Sequence, residues 1–226
     1  MARTQVAIIG AGPSGLLLSQ LLHLHGVDNV VLERRSREYV AGRIRAGVLE
    51  QGTVELLLRA QVGERMLSER LIHDGFALGF AGNSLRVDLK SLTGATVSVY
   101  GQTEITRDLT AARIAAGASP IFEADAVSVE NLGGAHPSVR YSHGSRTHEL
   151  TCDFVAGCDG YHGVSRPSIL ASVLRTYEKS YPFGWLGIMS ETPPYPDLCY
   201  CYHRRGFARL RPCAIRCSAV STSSAT

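Results

Sequence analysis

Gly10, Gly12 and Gly15 stand in the run G-A-G-P-S-G, and Glu33 closes the next apolar run, N-V-V-L-E. Residues of these types at this spacing can hold a phosphorylated nucleotide. Gly10 allows a tight turn, Gly12 lets the backbone approach a pyrophosphate, and Gly15 lets a helix pack closely on a strand. Pro13 and Ser14 complete the turn. A helix opening there presents free N–H groups and a partial positive charge to phosphate oxygens. Glu33, at the end of the following strand, can accept hydrogen bonds from both hydroxyls of an adenosine ribose. A carboxylate suits a free 2′-hydroxyl, so NAD and FAD both remain open and NADP is disfavoured in this pocket. The same residues would also serve a merely tight βα turn.

The elements that must position them are legible in the same stretch. Thr4 to Ile9 is a short apolar run suited to a buried parallel strand. Leu16 to His25 has a helical pattern that Gly26 can end, and Asn29 to Glu33 is a second strand. Strand, glycine turn, helix and strand form one βαβ unit. Further on, Thr53 to Leu67 reads as a helix. Phe76 to Phe80 and Leu85 to Leu89 read as strands joined by a turn at Gly82, Asn83 and Ser84. Thr106 to Ala116 reads as a helix that Thr106 could cap. Ala126 to Val129 and Ser138 to Ser142 suggest a small meander before a strand at Phe154 to Ala156. Tyr181 to Met189 opens another β-rich segment. The expected fold class is α/β: a Rossmann-like dinucleotide-binding domain with a βαβ fingerprint and a β-meander, plus an incomplete β-rich substrate domain.

Composition bounds the alternatives. The chain has 226 residues, a net charge of +3, 45% hydrophobic and 19% charged residues. Such a balance describes an ordinary globular protein and gives no reason to expect a nucleic-acid or membrane partner. No apolar run reaches the ~18 residues of a membrane span, and no secretory signal opens the chain, so a cytoplasmic location is expected. Six cysteines occur, at 152, 158, 199, 201, 213 and 217. Cys199 and Cys201 have no second pair at zinc-like spacing, so the expectation is reduced thiols and no metal.

Four segments carry a resemblance: A-G-R-I-R-A-G-V-L-E-Q-G from Ala41, V-Y-G-Q-T-E-I-T-R-D-L from Val99, A-G-C-D-G-Y-H-G-V-S-R from Ala156, and Y-P-F-G-W-L-G from Tyr181. Together they resemble the single-component flavoprotein aromatic hydroxylases, with similarity from about Thr4 to about Phe207. The resemblance implies FAD as cofactor, NADPH or NADH as co-substrate, and molecular oxygen and a small phenolic acid as substrates. It implies that Glu33 holds the adenosine ribose of FAD, with Arg43 and Arg45 near the flavin and its diphosphate. Gln102 would contact the ribityl or pyrophosphate region, and Asp159 with Gly160 would contact FAD through their turn. Arg34, Tyr39, Arg43, His162 and Arg166 match positions implicated in NAD(P)H binding. Tyr200 matches the tyrosine whose hydroxyl meets the substrate phenol. A homodimer is left open for the full-length form. Plainer readings stand beside these: a solvated basic turn for Arg34, Arg35 and Arg37, a loop histidine at His162, a simple turn pair at Asp159-Gly160, and a core tyrosine at Tyr200.

The resemblance also sets expected domains. Residues 1–175 would form the FAD-binding domain, with 74–98 contributing to the substrate domain, and 176–208 would begin that second domain. After Ala208 the sequence R-L-R-P-C-A-I-R-C-S follows no family pattern. The expectation is a truncation or frameshift near residue 208, with 209–226 a disordered tail. A chain that binds only FAD or ADP, and a flavin hydroxylase for another phenolic acid, are the alternative functions.

Overall fold

The computed structural model describes residues 2–43, 47–181, 183–190, 197–204, 206–211 and 217–224. The chain opens with β1 (Ala2–Arg3), β2 (Val6–Ile9), α1 (Pro13–Leu24), β3 (Asn29–Leu32) and α2 (Arg37–Gly42). Next come β4 (Val48–Leu49), α3 (Gln51–Arg59), α4 (Glu64–Glu69), β5 (Leu71–His73), β6 (Gly75–Phe80), β7 (Asn83–Asp88), α5 (Leu89–Thr93) and β8 (Val97–Val99). Then follow α6 (Gln102–Ala115), β9 (Ala124–Glu130), β10 (Ser138–His143), β11 (Arg146–Thr151) and β12 (Phe154–Gly157). The last strands are β13 (Phe183–Ser190), β14 (Cys199–His203), β15 (Gly206–Arg211) and β16 (Cys217–Ser224). Among the described residues no helix is long and apolar enough to cross a membrane.

Two compact units result. The first comprises residues 1–46, 57–62 and 102–176, and the second 47–56, 63–101 and 177–226. In the first unit β2 lies between β12 and β3, all three parallel. Val6 to Ile9 are all buried, as a central parallel strand covered on both faces requires. The antiparallel meander β9-β10-β11, with β1 added in parallel to β11, forms a second sheet. Ala7, Ile9 and Leu32 of the parallel sheet cluster with Ala124, Val139, Tyr141, Leu150 and Cys152 to make the core of this unit. The segment before β9 is tied to the end of β3: the Glu33 amide donates to the Ile121 carbonyl, and the Ala124 amide to the Glu33 carbonyl.

Helix α1 packs on α6, and here a charged side chain is buried. Arg113 is 1% exposed. Its guanidinium donates one 3.4 Å bond to Gln20 Oε1, and its Nε has no partner. Desolvation lowers its pKa. A buried cation so weakly compensated contributes little, and an apolar side chain of similar length is often neutral or better. Arg113→Met is therefore expected to leave the urea midpoint unchanged or to raise stability by up to about 3 kcal/mol. A loss above ~1 kcal/mol would show that the guanidinium holds α1 and α6 together.

The second unit holds a six-stranded sheet in the order β13-β16-β15-β14-β6-β7 and a small sheet β4-β8-β5. In the β6–β7 hairpin Phe80 pairs with Asn83, so the loop is Ala81-Gly82 alone. Both have positive φ, 48° and 79°, the geometry of a two-residue turn that matches strand twist. Asn83 and Ser84, expected in the turn, belong to β7.

Three other expectations are corrected. The helix expected over 53–67 is broken: α3 ends at Arg59, Gln61 takes a left-handed φ of 58°, and α4 starts after Gly63. Thr106 does not cap α6. It lies inside the helix, where its Oγ1 donates to the Gln102 carbonyl. The stretch expected to be disordered from residue 209 contains the end of β15 and all of β16. β16 lies between β13 and β15, antiparallel to both, so pairing on two sides gives its backbone the hydrogen bonds that its composition alone does not advertise.

Candidate functional site

The glycine turn is built by close approach of three backbone segments. The Gly10 amide donates to the Leu32 carbonyl, and the Cys158 amide to the Ile9 carbonyl. Gly10 has φ +105°, and a Cβ there would lie 2.5 Å from the Cys158 carbonyl oxygen. A Cβ on Gly15 would lie 2.0 Å from the Gly10 carbonyl oxygen. Gly12 is the opposite case: its φ is an ordinary −71°, and a Cβ there meets nothing within 4 Å. Gly10 and Gly15 therefore close the turn, and Gly12 leaves it open on one side. Helix α1 starts at this opening with Pro13 in its first turn and no side chain capping its end. Its leading amides are available to an acceptor from outside.

Glu33 leaves β3 beside that turn. Its Oε2 accepts from the Ala11 amide at 2.8 Å and its Oε1 from the Arg35 amide at 2.8 Å. Two backbone donors thus fix the plane of the carboxylate, while each oxygen keeps capacity for a further donor. After Arg35 the chain turns into α2, whose first turn is capped by Ser36 Oγ accepting from the Tyr39 amide. The guanidinium groups of Arg35 and Arg43 stand 5.1 and 6.0 Å from the Tyr39 ring centroid, within cation–π range.

These parts line one cavity of about 450 Å³ in the first unit, inside the ~300–1,000 Å³ range of small-molecule sites. Gly10, Gly12, Pro13, Ser14, Glu33, Arg34, Tyr39, Arg43, Gln102, Asp159 and Gly160 all face it. Gly15 lies behind the turn. His162 and Arg166 sit outside the lining, on the loop after β12, where Arg166 covers the Tyr161 ring at 4.5 Å and His162 meets it edge-on. Arg45 lies outside the described residues. Tyr200 belongs to the second unit. Its ring packs edge-on against Phe76 at 5.6 Å and near Phe207 at 6.1 Å, with the Arg209 guanidinium 5.3 Å from its centroid.

Some contributors were not singled out in the sequence. Ser165 is the partner of Asp159: its amide and its Oγ both donate to Asp159 Oδ2, at 2.9 and 3.0 Å. This pins the loop so that Gly160, with φ +73°, faces the cavity. The only sequence signal for it is its place six residues after the acid in the D-G-Y-H-G-V-S run. Asp125 and Cys158 also line the cavity. Burial pushes the Cys158 thiol up, and the Asp159 charge adds to this, so the thiol stays protonated beside the turn. Among the described residues no cluster suited to a metal ion occurs.

The sequence matches a family described as an FAD-binding domain over residues 3–220. The match runs past residue 208, where the family pattern was expected to stop. The chain belongs to this FAD-binding domain family. It is 48% identical over 208 residues to p-hydroxybenzoate hydroxylase of Acinetobacter baylyi, covering 91% of this chain and 51% of that protein. The chain thus spans about half the length of this curated relative. Among solved structures, p-nitrophenol 4-monooxygenase PnpA of Pseudomonas putida superposes with a TM-score of 0.86 at 16% identity, over 99% of this chain and 59% of that one. PqsL of P. aeruginosa in complex with 2-aminobenzoylacetate superposes with a TM-score of 0.83 at 19% identity, over 98% and 60%.

The residues present fit a dinucleotide such as FAD. Gly12 leaves open space where a diphosphate must approach the helix start, and Arg34, Arg35 and Arg43 line the cavity with positive charge. Glu33 is already oriented toward the turn by the Ala11 amide.

Proposed function

We propose that the chain belongs to an FAD-dependent, NAD(P)H-using monooxygenase that converts 4-hydroxybenzoate to 3,4-dihydroxybenzoate. The observation that carries this reading is the single cavity on which Gly12, Glu33, Arg43, Gln102 and the Asp159-Gly160 turn converge. These residues are far apart in sequence and are the ones an FAD-dependent hydroxylase would use. The first unit then acts as the FAD-binding domain. Residues 74–98 and 176–208 supply part of the substrate domain.

FAD, when bound, supplies the transfer of oxygen to the ring using electrons from NAD(P)H. The amides of the α1 start and Arg43 hold its diphosphate, and Glu33 holds its adenosine ribose. Arg34 and Tyr39 at the cavity, with His162 and Arg166 on the neighbouring loop, receive the nicotinamide nucleotide. Tyr200 takes a hydrogen bond from the phenol and relays its proton. The 48% identity to p-hydroxybenzoate hydroxylase supports 4-hydroxybenzoate over other phenolic acids.

Titration of the 226-residue chain with FAD should quench flavin fluorescence to a plateau at one FAD per chain, and excess ADP should reverse it. A linear, unsaturable response would sink the cofactor assignment. Saturable FAD binding without 3,4-dihydroxybenzoate, on adding NADPH and 4-hydroxybenzoate, would favour the narrower function of FAD or ADP binding.

A further inference from the structure

Among the described residues, two thiols lie in contact in the second unit. Cys199 and Cys201 alternate with Tyr200 along β14, so the strand's two-residue period sets both on one face. Their Sγ atoms are 3.4 Å apart. Cys199 is buried and Cys201 half-buried. Gly79, paired with Cys201 across the parallel β6–β14 ladder, leaves room for the second sulfur: a Cβ on Gly79 would stand 3.2 Å from Cys201 Sγ. Burial pushes the Cys199 thiol up to about 11, with the hydrogen bond to Cys201 and the charge of Asp197 adding to it. Cys199 is thus held as a neutral thiol.

Two fates are open to such a pair, and the strand geometry separates them. A disulfide needs sulfurs ~2.05 Å apart and Cβ atoms ~3.8 Å apart. Same-face neighbours on one strand are set ~6.6 Å apart by its rise. Closing that gap would buckle β14, which is hydrogen-bonded to β6 on one side and β15 on the other. A single atom bonded to both sulfurs asks for no such movement. With bonds to sulfur of ~2.3 Å, sulfurs 3.4 Å apart subtend roughly 95° at that atom. This is narrower than a tetrahedral angle and suits a pyramidal three-coordinate centre.

We propose that Cys199 and Cys201 form a two-thiol chelation site for a trivalent thiophilic centre, with a monosubstituted arsenical of the type R–As=O as the chemical class that fits. The step balances without an oxidant. Both S–H bonds break, two As–S bonds form, and the two protons leave with the arsenical oxygen as water, arsenic remaining trivalent. Occupation would tether the backbone on both sides of Tyr200.

The test uses the 226-residue chain carrying Cys213→Ser and Cys217→Ser, with phenylarsine oxide as the probe. Native mass spectrometry should show one phenylarsenic group per chain, with two thiols lost to thiol titration. Ethanedithiol should remove the group, and an equimolar monothiol should not. Cys199→Ser and Cys201→Ser should each weaken uptake at least about tenfold, while Cys152→Ser leaves it unchanged. Circular dichroism identifies any variant that fails to fold, and Cys201→Ala then repeats the measurement at the half-buried position. Uptake that persists in folded Cys199→Ser or Cys201→Ser overturns the site. So does ready formation of a Cys199–Cys201 disulfide by diamide in a chain that takes up no arsenical.

Discussion

Gly15→Ala should unfold the first unit at a lower temperature and abolish FAD binding, while Gly12→Ala should keep the fold and lose the ligand. The two positions differ in what a methyl group meets. At Gly15 it would be driven to within 2.0 Å of the Gly10 carbonyl oxygen, a backbone atom with no room to retreat. Alanine's better helix propensity returns about 1 kcal/mol, and overpacking of this severity costs about 3 kcal/mol or more. The clash wins, and the net loss of about 2 kcal/mol or more corresponds to a fall of roughly 4–8 °C in Tm for a chain of this size. At Gly12 the φ of −71° suits any residue, and the methyl group enters open space. Stability should be unchanged or higher by about 0.5 kcal/mol. The methyl group then occupies the approach to the α1 amides, and FAD affinity should fall at least about tenfold, or 1.4 kcal/mol. Thermal denaturation and FAD titration of both variants check the contrast. Equal FAD affinity in Gly12→Ala and the unmodified chain would move the diphosphate away from this turn.

Glu33→Ala should weaken FAD binding about 100-fold and Glu33→Gln about 10-fold. The carboxylate has two tasks in this geometry: it takes the Ala11 and Arg35 amides, and its remaining lone pairs face the cavity. A hydrogen bond to a charged acceptor contributes about 1.5–3 kcal/mol, so two ribose contacts, one through each oxygen, give the larger figure at the low end of that range. Glutamine keeps one acceptor oxygen but turns an NH₂ group toward one of the two amides, donor against donor. Alanine also leaves the part-buried Ala11 amide without its partner, at a cost of about 1–3 kcal/mol in stability. Measuring the affinity for ADP alongside that for FAD localises the effect. If Glu33→Ala weakened FAD but left ADP unaffected, the residue would lie away from the adenosine end.

The glycine turn and Glu33 were legible in the sequence because their geometry is local: the spacing itself requires the turn, the helix start and the strand end. The rest of the cavity was legible only through resemblance. Nothing in the residues around Gln102 or Asp159 says that α6 and β12 bring them to the same opening, since sheet order is set by non-local pairing. Ser165 escaped notice for a related reason, as a serine announces a hydrogen bond only once its partner is in place. The break at Gln61 was missed because a left-handed glutamine has no sequence signature. β16 was missed because a Ser/Thr-rich strand is made by the neighbours that flank it rather than by its own apolar content.

The position of β12 in the parallel sheet has a consequence for synthesis. β2 needs β3, which follows it closely, and β12, which emerges only after the whole second-unit insertion and the meander have been made. The glycine turn leans on Cys158 just beyond that strand. A ribosome-bound chain that has passed residue 101 still exposes one edge of its most apolar strand and lacks one wall of the turn. Until residue 158 has left the exit tunnel, the nascent first unit is a substrate for chaperones and proteases rather than a nucleotide receptor.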